Sequence, residues 1–170
     1  MHVTTTERGF SYIDVMIAMS ILLVGILTFG AALTAAIVRT QESEEQLQAK
    51  QICISTLEAV FSVRELKSAG FGWNAIAGNS EAAGVFLEGV QAVYETPGVD
   101  GIPGTADDAT GGVLIPGFHR EIVITRQLDT DFTPARDNMK EITIRVTYRV
   151  GGGQRVEEIT TWIAEYQFEL

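Results

Sequence analysis

The chain is poor in several residue types, and each shortage removes a class of function. It has one cysteine, Cys53, so no intramolecular disulfide can form in any compartment. Two histidines, His2 and His119, and that single thiol are little material for a zinc site or a nucleophilic triad. Lysine and arginine total 12 against 22 aspartates and glutamates, a net charge of −10. A surface of that sign repels phosphate backbones, so no nucleic-acid partner is expected. The chain has no phosphate-binding glycine loop, no G-x-S-x-G and no H-E-x-x-H, and it is not expected to be an enzyme. Proline is scarce, and none of the 4 prolines precedes Pro97.

Apolar residues, by contrast, are concentrated at one end. From Val15 to Val38 the chain carries no charge. At about 1.5 Å per residue, this run coiled as a helix can cross a hydrocarbon core of about 30 Å. Gly25 and Gly30 lie within it, and glycine is common in membrane helices. The run is too long for the core of an ordinary signal peptide, although Ala31 to Ala36 supplies small residues near its end. A plain single-pass anchor fits the length. Neither reading accounts for Glu7-Arg8-Gly9-Phe10-Ser11-Tyr12-Ile13-Asp14, a short polar leader ending in glycine, then phenylalanine, with a carboxylate four positions later. At the edge of a membrane span an ionised group is costly and usually paired or functional. The alternative is that Asp14 is solvated at headgroup level.

The stretch from Arg8 to Met19, with its apolar continuation to Val38, resembles the type IV prepilin signature. That resemblance implies cleavage by prepilin peptidase between Gly9 and Phe10 and N-methylation of the new Phe10 amine. It also implies pairing of Asp14 with the Phe10 amine of a neighbouring subunit. A carboxylate buried among packed helices needs a cation, and the neighbour's ammonium supplies one. The family usually has glutamate at the acidic position, where Asp14 carries the same charge on a shorter stem. Many major pilins also have a proline in mid-span, which is missing here. Arg8 and Arg39 stand on opposite sides of the run, so charge alone does not orient it.

Beyond Arg39 the text becomes amphipathic. Leu47, Ile54 and Phe61 recur at seven-residue spacing, with Leu57 on the same face. Ala49, Cys53 and Val60 widen the stripe, whereas Glu42, Glu45, Gln48 and Glu58 fall elsewhere. Cys53 reads as a packed, inert thiol. Gly70 is a plausible stop, so one helix is predicted over residues 10–69, membrane-spanning over 10–38 and amphipathic over 39–69. Residues 1–9 form the leader and 70–170 the globular head.

Residues 70–91 read as loop with one short helix, and Trp73 as a local anchor. Residues 95–117 hold Pro97, Pro103 and Pro116 among glycines and must turn repeatedly. Asp100, Asp107 and Asp108 have no basic residue among them, and oxygen-rich loops suit hard cations. The pattern loosely resembles the calcium loop of some pseudopilins, which makes these three aspartates candidate calcium ligands. A solvated acidic loop is the alternative. Residues 119–128, 141–150 and 155–164 alternate as strands do, and Gly151-Gly152-Gly153 marks a hairpin between the last two. In the second strand Ile142, Ile144, Val146 and Tyr148 share one face.

The expected fold is α+β, with the amphipathic half of the helix covering an antiparallel sheet of at least three strands. The C-terminal strand text is similar to minor pilins of the pilus-modification class. The expected function is therefore a minor subunit of a type IV pilus. Its partners would be prepilin peptidase, other pilin subunits, the inner membrane and the assembly platform. It would sit in the inner membrane with its N-terminus cytoplasmic, then in a filament. A type II secretion pseudopilin and a non-polymerising anchored module are the alternatives.

Overall fold

A computed structural model of the chain describes Gly9 and residues 11–66, 70–110, 112–129 and 136–165. The elements run in the order α1 (Tyr12–Glu65), a short 3-10 helix (Trp73–Ala75), β1 (Val90–Tyr94), β2 (Leu114–Asp129), β3 (Arg136–Val150) and β4 (Gly153–Ala164). The fold is α+β. The 54-residue helix α1 packs its later part on a 4-stranded antiparallel sheet ordered β1-β2-β3-β4. The chain divides into two compact units, Met1–Gln41 and Glu42–Leu170.

In the first unit α1 is apolar all round, and every described residue from Ser11 to Gln41 is exposed. Its hydroxyls bond within the helix. Ser20 donates to the Met16 carbonyl at 2.8 Å, Thr34 to Gly30 at 3.0 Å and Thr40 to Ala36 at 3.0 Å. Such back-bonding lets serine and threonine sit in an apolar helix without an unsatisfied donor.

The second unit holds the core. β3 alternates as its sequence implies: Ile142, Ile144, Val146, Tyr148 and Val150 are buried, and Thr143, Arg145, Thr147 and Arg149 face outward. Phe118 and Ile122 of β2, Val93 of β1 and Ile163 of β4 extend this inner face. Phe118 stacks on Tyr148 with ring centroids 5.8 Å apart. The helix answers with Ala49, Ile52, Cys53, Thr56, Ala59, Val60 and Val63.

That stripe is rotated from the expected one. Leu47 is 58% and Ile54 49% exposed, and Leu57 and Phe61 only flank the core. The sheet already presents isoleucine, valine and tyrosine, and the helix meets it on Ala49, Cys53, Thr56 and Ala59 interspersed with Ile52, Val60 and Val63, which leaves Leu47 and Ile54 outside. Ala49, Cys53 and Val60 do belong to the buried face, as expected.

Element ends also differ from the expected ones. The helix stops at Glu65 rather than Ala69, and residues 67–69 lie outside the described residues. The chain then turns through Gly70 and Gly72, both at positive φ, with the Gly72 amide on the Val63 carbonyl at 3.0 Å. β2 begins at Leu114, inside the stretch expected to be loop, and β3 at Arg136. β1 was not expected. It is a five-residue edge strand, VQAVY, whose register on β2 shifts between Ala92 and Tyr94.

The β3–β4 hairpin closes on Gly151 and Gly152, with φ of 55° and 87°, and Val150 pairs with Gly153. Two consecutive positive φ values define a type I′ turn, which glycine adopts without strain.

Candidate functional site

The processing and assembly motif lies at the start of α1. Gly9 is exposed, and a Cβ there would meet nothing within 4 Å. Phe10 lies outside the described residues. Ser11 precedes the helix, and Asp14 sits in its first turn. The Ser11 amide donates to Asp14 Oδ2 at 3.2 Å, and the Asp14 amide to the Ser11 carbonyl at 3.0 Å. This is the return half of a capping box. The bond fixes the carboxylate at the positive end of the helix dipole, beside the residue that would become the mature N-terminus. A carboxylate has acceptor sites left after one such bond. Below it, Val15, Ala18, Met19 and Leu22 line an apolar hollow on the same helix face.

The acidic loop behaves differently. Asp100 Oδ1 accepts from the Ile102 amide at 2.8 Å. Asp107 is half-buried. Its Oδ2 accepts from the Asp100 amide at 3.0 Å and its Oδ1 from the Thr105 hydroxyl at 2.7 Å. These bonds, Thr105 first, hold the Asp107 carboxyl below its ordinary range. Asp108 turns inward. Its Oδ2 accepts from the Gly104 amide at 2.7 Å and from Arg120 Nη2 at 2.8 Å. Its Oδ1 is buried with no partner among the described residues. Asp108 also lines a cavity of about 90 Å³. The loop thus brings Asp100 and Asp107 together and separates Asp108 from them.

Two buried cations went unexpected. Arg120, on β2, also donates through Nη1 to the Thr56 hydroxyl of α1 at 3.3 Å. Lys140, on β3, is fully buried. It donates to the carbonyls of Trp73 at 2.8 Å and Ile76 at 2.9 Å and stands 4.5 Å from the Trp73 ring centroid. It fastens the 3-10 turn to the sheet, which makes Trp73 the local anchor that was expected. Strand phase carried the signal: Arg120 alternates with Phe118 and Ile122, and Lys140 with Ile142 and Ile144.

Cys53 is buried against β4, its thiol 3.7 Å from the Glu157 carbonyl. Burial, with Glu157 second, pushes its pKa up to about 11. Such a thiol is inert. His119 is exposed in the middle strand β2, between Ala92 and Thr147, not at a sheet edge. A groove of about 560 Å³ in the second unit is lined by Gln48, Ser55 and Glu58 of α1 and by Tyr94, Glu95 and Pro97.

Among the described residues, α1 is the one helix long and apolar enough to cross a membrane, and by composition it suits a membrane anchor or a signal. Its arrangement with the sheet is a pilin-like architecture. No family model, curated protein or solved structure matches the chain.

Proposed function

We propose that this chain is a pilin-like filament subunit, a minor subunit of a type IV pilus, and not an enzyme. One observation carries the reading. A single helix begins at a capped Ser11–Asp14 turn, runs apolar and exposed through its first unit, and packs on a sheet in its second. Exposed apolar surface of that extent needs a lipid or protein environment. A subunit that waits in a membrane and then joins a helical bundle uses both.

In this reading the inner membrane holds α1 with its N-terminus in the cytoplasm. Prepilin peptidase cuts between Gly9 and Phe10, and the assembly platform passes the subunit into the filament. Asp14, already positioned by the Ser11 amide, receives the Phe10 amine of the adjoining subunit. The pair forms where lipid and water are both displaced, so one partner without the other is strongly disfavoured.

The test uses two variants in the native host. Gly9→Ser is expected to leave the chain unprocessed in the membrane. Asp14→Ala is expected to be processed and inserted normally but to be missing from sheared filaments. Normal filament incorporation of Asp14→Ala would refute the pairing. Release of a chain starting at Phe10 from Gly9→Ser would refute the processing site.

A further inference from the structure

The loop between Tyr94 and Leu114 is where the pseudopilin resemblance would place a calcium ion, and its donors do not fit one. Calcium takes about 6–8 oxygens converging at roughly 2.3–2.6 Å. Asp107 and Asp108 are consecutive, yet their carboxylates diverge, one on the Asp100 amide and the Thr105 hydroxyl and the other, at 8% exposure, on Arg120. Both oxygens of Asp107 already accept hydrogen bonds. Among the described residues, no three His, Cys, Asp or Glu side chains are grouped to hold a metal. A divalent ion at Asp108 Oδ1, buried and without a partner among the described residues, would face the guanidinium bound to Oδ2 of the same carboxylate.

We propose that Arg120 is the resident cation of this loop. Carried on β2 and braced on α1 through Thr56, it closes the loop through Asp108 where a metal ion would otherwise do so. The surroundings are built for this contact. Arg120 is 4% exposed, so its charge has been taken out of water and needs the partner it has. Gly104 has a φ of 102°, and a Cβ there would lie 2.5 Å from Ile122 Cδ1. Only glycine lets the backbone come down far enough for its amide to share Asp108 Oδ2 with the guanidinium. The Gly104 carbonyl in turn accepts from the Leu87 amide at 2.8 Å, which ties the closed loop to the strand entrance.

An arginine is charged at every working pH and is never depleted, so a loop closed in this way is indifferent to calcium supply. A chain that never enters a filament would show the same indifference.

The experiment uses the full chain in detergent micelles. Thermal unfolding in excess EDTA and in millimolar calcium chloride is expected to give the same midpoint, and calorimetric titration with calcium no saturable heat. In hydrogen exchange, Arg120→Met is expected to lose protection at the Gly104 amide at least tenfold. Replacing both partners, Arg120→Met with Asp108→Leu, is expected to restore the midpoint that Arg120→Met lowers. Saturable calcium binding, or a calcium-dependent rise in midpoint that Asp108→Asn abolishes, would overturn the proposal. Unchanged Gly104 protection in Arg120→Met would do the same. Should Arg120→Met fail to fold, the calcium titration of the unaltered chain decides.

Discussion

Lys140 and Arg120 stand in the same strand phase as the isoleucines beside them, yet both are cations. Each is held by oxygen atoms from a segment that the strand pattern alone does not reach. Strand phase therefore gave their direction but not their partners. Alternation says which way a side chain points, not what awaits it there. Lys140→Met keeps the stem and strands two carbonyls. It is expected to destabilise the folded chain by about 2–4 kcal/mol, read as a lower unfolding midpoint. Cys53 was legible, because a thiol among apolar residues on a helix face packs as a small hydrophobe. Its thiol titrates at about 11 in the fold against an ordinary 9.0, so the unfolded chain ionises first as pH rises. Stability is therefore full below about pH 9 and falls between there and about 11. Tyr148, raised by its burial first and by Glu157 second, adds to the fall in the same direction. At pH 8 Cys53 is expected to resist iodoacetamide until denaturant is added, and rapid native labelling would contradict its packing.

At the scale of elements, the residues that wrote their own structure are those with a strict period. β3 and the type I′ turn after it follow from alternation and from two glycines in sequence. Gly152→Ala, at a φ of 87°, is expected to cost about 1 kcal/mol in an unfolding curve. β1 was not legible, since five residues at a sheet edge carry too short a pattern to separate from loop. The helix face misled for a different reason. Seven-residue spacing of Leu47, Ile54 and Phe61 points to one face, but the sheet takes the neighbouring face that carries Ala49, Ile52, Cys53, Thr56 and Ala59, and Leu47 and Ile54 lie outside it. A comparison of variants checks this. Ala49→Leu is expected to destabilise the fold through overpacking by about 1–3 kcal/mol, read as a lower unfolding midpoint, whereas Ile54→Ala is expected to be within about 0.5 kcal/mol of the parent.

Over the whole molecule, the sequence divides its labour between a segment that offers nothing to its own fold and a head that folds around its own core. The apolar part of α1 is exposed along its described length. In the proposed function it meets lipid first and neighbouring subunits afterwards. The proposed cleavage after Gly9 and the acid four positions past Phe10, Asp14, give that assignment its chemistry. The most direct test is the intact mass and N-terminal sequence of the protein taken from its native membrane and from sheared surface filaments. The account predicts a chain beginning at N-methylated Phe10 in both fractions. A chain that still begins at Met1, or one cut near Ala36, would contradict it.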